Sequence, residues 1–152
     1  KHFFLFFILV SGYIFGQGFS ESLLNSNRSN DVKDLNETFL SYGVVEYKND
    51  LNETKKMNFY VQLDVSIYNK IEDKSIFNNI LKELISDAQE SIKNKYSLVP
   101  RKLRISQRDN SLYVGLNFTA QNDFGAEKEA EIIGSLFDYK GNKIKKGTYI
   151  PH

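Results

Sequence analysis

The chain has 152 residues, of which 20 are basic and 19 acidic, with no cysteine and no tryptophan. A formal charge of +1 argues against a nucleic-acid protein, which normally shows a strongly basic face. The missing cysteines exclude disulfides, thiolate nucleophiles and Cys-ligated zinc. With histidine only at His2 and His152, no interior Ser-His-Asp or Cys-His constellation can be assembled.

Lys1 and His2 form a short basic start, Phe3 to Phe15 is almost wholly apolar, and Gly16, Gln17 and Gly18 follow. The apolar run falls short of the roughly 20 residues a spanning helix needs. It predicts a secretory signal peptide over 1–18, cleaved after Gly16 or Gly18. The expectation is therefore an exported protein, periplasmic or extracellular and of bacterial type, with no stable membrane span after cleavage. Residues 19–36 are rich in Ser, Asn and Asp and predict a mobile leader with one short helical turn. Residues 37–152 then have the length of a single domain.

Within that domain, Thr38 to Lys48 has strand composition, and Asn49, Asp50, Asn52 and Glu53 form a polar loop. From Met57 to Tyr68, Phe59, Val61, Leu63, Val65 and Ile67 alternate with polar and Tyr residues. That period of two predicts a strand with one buried face. Ile76, Phe77, Ile80, Leu81, Leu84, Ile85, Ala88 and Ile92 then recur at three- and four-residue spacing, which predicts an amphipathic helix. Glu83, Asp87 and Glu90 lie on its opposite face and read as solvated. Strands around Leu103–Ile105 and Leu112–Ala120 are joined by Asp109-Asn110, a two-residue turn that sets Ile105 opposite Val114 and Gln107 opposite Leu112. After the turn Asn122 to Gly125, a strand from Glu127 to Asp138 has the expected core set Ala130, Ile132, Gly134 and Leu136. Lys140-Gly141-Asn142 makes a further turn before a short last strand.

The order β-β-α-β-β-β predicts an α+β fold, a curved antiparallel sheet packed on one amphipathic helix. This order resembles that of cystatin-like and nuclear-transport-factor-like cone folds, and the resemblance implies a sheet wrapped round the helix. The stretch Phe118 to Glu131 also resembles an Ala-x-Asn-x-Phe-Gly hairpin turn of small exported bacterial proteins. Neither likeness brings a catalytic residue, and such topologies host many functions.

The residues predict no catalytic group, no metal and no cofactor. On the helix-free face of the sheet, Tyr60, Gln62, Asp64, Tyr68, Arg104, Tyr113 and Asn117 are the candidate ligand-binding residues, because tyrosine rings mixed with amides and an Arg make favourable contact surface. The function expected is a non-enzymatic binding or interaction domain for an unknown protein or small-molecule ligand. One alternative is a hydrolase or isomerase using a carboxylate pair drawn from Asp64, Glu127, Glu129 and Glu131. However, alternating glutamates on a strand also keep a sheet face wet and guard against edge pairing. Another alternative is an accessory envelope protein that contributes an edge strand. Asn-x-Ser/Thr triplets begin at Asn27, Asn36, Asn52 and Asn117 and are expected to stay unmodified in a bacterial protein.

Overall fold

The structure, a computed structural model, describes residues 18–29, 37–49 and 51–152. The signal-peptide expectation falls on residues almost all outside that range. The elements are α1 (Glu21–Ser26), β1 (Thr38–Lys48), β2 (Thr54–Asp64), α2 (Val65–Lys70), α3 (Ile76–Ser91), a 3₁₀ turn (Lys95–Ser97), β3 (Val99–Arg108), β4 (Ser111–Gln121), β5 (Glu127–Phe137), β6 (Lys143–Lys145) and β7 (Thr148–Pro151). They form an α+β fold with one seven-stranded sheet in the order β1-β2-β3-β4-β5-β6, and β7 also lies on β5. Among the described residues no helix is long and apolar enough to cross a membrane.

The sheet is mostly antiparallel, but β2 and β3 pair in parallel, Phe59 beside Leu103 and Val61 beside Ile105. The antiparallel sheet expected from the element order holds at every other pair, and this one is the exception. A parallel pair cannot be closed by a hairpin and needs a crossover of a dozen or more residues; α2 and α3 supply it. The amphipathic pattern dictates how α3 docks: Phe77, Ile80, Leu84 and Ala88 are fully buried against the sheet, which the helix approaches most closely at β4 and β5. Burying each large side chain contributes roughly 1.5–3 kcal/mol, so this one stripe holds the layers together.

Other expectations are corrected by local chemistry. The strand predicted over 57–68 ends at Asp64, whose extended backbone serves as N-cap to α2. Val65 and Ile67 continued the two-residue alternation by coincidence; Ile67, Tyr68 and Ile71 are buried at helical spacing instead. The Lys74 ammonium closes that helix by donating to the carbonyls of Tyr68, at 2.8 Å, and Ile71. In β5 the expected core set holds for Ala130 and Ile132 and then fails. Gly134 has φ 77° and forms a bulge, so that Leu116 faces Ile132 but Val114 faces Ser135. One extra residue reverses the alternation, burying Ser135 and Phe137 and leaving Leu136 half-buried. The leader expected to be mobile is docked in its described part. Phe19 and Leu24 are buried, the Phe19 amide donates to Asn78 Oδ1 at 2.7 Å, and the Ser29 amide donates to the Leu40 carbonyl on the outer edge of β1 at 2.9 Å.

The acidic stripe of α3 is not simply solvated. Asp87 is only 3% exposed and receives Lys143 at 2.8 Å and Lys146 at 3.6 Å. Glu83 takes Lys143 at 2.9 Å and Glu90 takes Lys146 at 2.6 Å. Two lysines of the β6 region thus clasp the C-terminal segment to the helix. Burial pulls the pKa of Lys143 down, but its hydrogen bonds to Asp87 and Glu83 outweigh that and leave it above the ordinary 10.5. The hydrogen bond between Lys146 and Glu90 raises the first above 10.5 and lowers the second below 4.5. A lowered carboxyl contributes stability that is lost as pH falls through its folded pKa, and a raised ammonium contributes stability lost as pH rises through its own.

The clasp is accordingly complete between about pH 5 and pH 10 and weakens beyond both limits. Asp87→Asn, which removes the shared anion, should cost roughly 1–3 kcal/mol in urea unfolding at pH 7. It should also flatten the alkaline loss of stability.

Candidate functional site

The register fixes which loops share an end of the molecule. Lys48 pairs with Thr54, Val99 with Thr119 and Gln121 with Glu127, and β3 runs parallel to β2. The β1–β2 turn, the 3₁₀ turn before β3, the β4–β5 turn and the C-terminal end of α3 therefore meet at one end of the sheet.

Two of these loops and the β5–β6 loop are built by one device. In 49–53, 122–126 and 138–142 the first residue is Asn or Asp, and its side-chain Oδ1 accepts the amides two and four residues on. For Asn49 these are Leu51 at 3.1 Å and Glu53 at 2.8 Å. For Asn122 they are Phe124 and Ala126, both at 3.0 Å, and for Asp138 they are Lys140 at 2.9 Å and Asn142 at 2.8 Å. The fourth residue in each turn has positive φ: Asn52 60°, Gly125 78° and Gly141 83°, the region Gly and Asn enter most readily. A turn pinned this way projects its third residue outward whatever its polarity. Leu51 is 72% exposed and Phe124 93%.

Leu51 stands at the lip of a cleft of about 300 Å³ between α3, the β1–β2 turn and the segment leading into β3. Buried Tyr47, Leu81 and Pro100 form its floor, with half-buried Ile85 and Leu98 on its walls. Tyr96, 87% exposed, stands on the 3₁₀ turn and lines the cleft with Leu51. That turn is held by Ser97, whose hydroxyl donates to the Asn94 carbonyl at 2.8 Å and accepts the Gln121 amide at 2.8 Å. Burial, partly opposed by the nearby Arg101 charge, pushes the Tyr47 phenol up to about 12. Lys48, Lys82 and Lys95 also line the cleft.

The residues expected on the outer sheet face do not all meet there. Tyr60, Gln62, Arg104, Tyr113 and Asn117 do, at alternating positions of β2, β3 and β4. Asp64 sits at the end of β2, its amide taking Gln107 Oε1 as acceptor at 3.2 Å. Tyr68 is a correction: it is 6% exposed and stacks on Phe39 with ring centroids 3.6 Å apart. Burial, reinforced by Glu21 and opposed by Arg28, pushes its phenol up to about 12.

Many polar groups on this face pair with one another. Glu131 accepts from Arg104 at 3.1 Å and Asn117 at 3.2 Å, with His152 Nε2 at 3.4 Å from its other oxygen. Arg101 donates to Thr119 at 3.0 Å and Glu127 at 2.7 Å, and Tyr60 donates to Gln62 at 2.9 Å. The bonds from Thr119 and Arg101 hold the Glu127 carboxyl below its ordinary range.

The sequence reading missed the cleft. Its only local signal was a lone Leu51 and a lone Tyr96 in otherwise polar loops, at positions no core periodicity explains. No known protein family, curated protein or solved structure matches the chain.

Asn49→Ala removes the one oxygen that accepts both amides and should cost about 1–2 kcal/mol. Hydrogen exchange at Leu51 and Glu53 should accelerate, while the amides of Phe124 and Ala126, in the equivalent turn, stay as they were.

Proposed function

We propose that the protein is an exported, non-enzymatic binding domain that holds a small apolar ligand in the cleft between α3, the β1–β2 turn and the 3₁₀ turn. Export rests on the basic, apolar and small-residue pattern of Lys1 to Gly18. The reading is carried by the two large apolar side chains that line the cleft with 72% and 87% of their surface in water. Single exposed apolar residues are ordinary, but two lining one concavity, each on a hydrogen-bonded turn, present apolar area that folding has left uncovered. Fully covering such a side chain contributes roughly 1.5–3 kcal/mol, and preformed walls reduce the ordering a ligand must impose. The cleft volume lies at the lower end of the ~300–1,000 Å³ usual for small-molecule sites. The outer sheet face supports a binding role less well, because many of its donors and acceptors are already engaged with each other.

The test is titration with N-phenyl-1-naphthylamine, a neutral apolar fluorophore. The expected result is saturable binding weakened about tenfold by Tyr96→Ala and again by Leu51→Ala, since each loses on the order of 1.4 kcal/mol of contact. Tyr60→Ala and Tyr113→Ala should bind as the parent does. Equal binding by the cleft variants, with loss in the Tyr60 and Tyr113 variants, would move the site to the sheet face.

A further inference from the structure

Among the described residues six large apolar side chains are exposed, and the three most exposed share one end of the molecule. They are Phe124 at 93%, Tyr96 at 87% and Leu51 at 72%, whereas the next, Ile144 at 59%, lies on β6. Each of the three sits on a different loop: the β4–β5 turn, the 3₁₀ turn and the β1–β2 turn. We propose that this end is a membrane-docking face, on which Leu51, Tyr96 and Phe124 enter the headgroup boundary of a lipid bilayer.

The three tips form a row at one level of the sheet. Asn58 pairs with Lys102 across the parallel strands, and β2 and β3 start at similar distances before that pair. The 3₁₀ turn shares the cleft with the β1–β2 turn. On its other side it is tied to the end of β4, where the Gln121 amide donates to Ser97 Oγ at 2.8 Å and Asn94 Nδ2 donates to Gln121 Oε1 at 3.4 Å. Tyr96 therefore stands between Leu51 and Phe124.

A lipid surface suits this pattern better than a protein. Each tip offers a single apolar side chain at its apex, where a protein interface would present a continuous packed patch with a polar rim. Apolar surroundings also require backbone groups to be satisfied from within, and the two Asx turns meet that requirement. Asn49 Oδ1 and Asn122 Oδ1 each accept two amides, and the Asn49 and Asn122 amides donate across their turns to Glu53 and Ala126 at 3.1 and 2.9 Å. Aromatic rings with a polar end, as in Tyr96, settle at the membrane–water boundary. Asp50 and Asp123 precede Leu51 and Phe124, and carboxylates stay in the headgroup layer, which keeps the contact shallow. Asp123 does so as an ion pair with Lys93 at 2.5 Å. Docking accordingly rests on apolar area, requires no particular lipid charge, and is weak and reversible, as a single acyl anchor is.

Leu51 and Tyr96 also line the cleft but Phe124 does not, so the cleft reading and the membrane face can fail separately. Because the chain has no tryptophan, Phe124→Trp and Ile144→Trp each carry a single emitter. The full chain is mixed with vesicles of dioleoylphosphatidylcholine, a lipid without net charge. The Phe124→Trp emission is expected to shift to the blue as lipid is added, while the Ile144→Trp emission stays as in buffer. In sedimentation with sucrose-loaded vesicles of the same lipid, Phe124→Asp should need about tenfold more lipid than the parent for equal binding. Its urea midpoint should match the parent's, because the side chain stands in water, and this shows that the variant folds. A parent chain that stays in the supernatant, an unshifted Phe124→Trp emission, or equal shifts at both positions overturns the membrane face and leaves the cleft to its own titration.

Discussion

Parallel pairing of β2 with β3 is the constraint from which the rest of the architecture follows. Having ended β2 at Asp64, the chain must return to the opposite end of the sheet before β3 can start beside it, and a tight turn cannot make that journey. The return runs through α2, across the sheet as α3, and back into β3 through the 3₁₀ turn at Lys95–Ser97. Because the crossover ends where the β1–β2 turn also lies, the C-terminal half of α3, that turn and Tyr96 must come together. The cleft is the space that this convergence leaves.

Two further devices make the convergence rigid. The Asx-based turns hold their backbones through a single side-chain oxygen each, so their tips can carry exposed Leu51 and Phe124 without collapsing inward. On the other flank of the helix, Lys143 and Lys146 converge on buried Asp87. Without an anion there the two ammonium groups would repel, and the C-terminal segment would be held to α3 only by the exposed pairs with Glu83 and Glu90. Packing of the helix stripe, pinning of the turns and clasping of the tail therefore act on the same helix from three sides.

Much of this was legible in the sequence wherever one periodicity governed one element. Thr38 to Lys48 is a strand with the expected bounds, and the stripe from Ile76 to Ala88 is the buried face of α3. The Asp109-Asn110 turn sets Ile105 opposite Val114 and Gln107 opposite Leu112. The misreadings arose where two patterns fitted the same residues or one residue broke a pattern. Val65 and Ile67 suit a strand by alternation, yet with Tyr68 and Ile71 they also suit a helical turn, and the helix begins once β2 ends at Asp64. Gly134 reads as an ordinary core position until its positive φ reveals the bulge. Asp87 belongs to a polar stripe on its own helix, and only the tail folding across it buries it. The candidate site was half legible for the same reason. Alternation places Tyr60, Arg104 and Tyr113 on one face, but nothing local says that their polar neighbours satisfy one another. Equally, nothing local says that Leu51 and Tyr96, 45 positions apart in the numbering, line one cleft.

The central claim is that ligand engages this cleft and not the open sheet face. Amide shift mapping by two-dimensional NMR, with N-phenyl-1-naphthylamine titrated into the isotope-labelled protein, tests it most directly. The account predicts the largest perturbations at Leu51, Ile85, Tyr96 and Leu98, with Tyr60, Arg104 and Tyr113 unmoved. Perturbations centred on Tyr60, Arg104 and Tyr113, with the cleft residues silent, would contradict it.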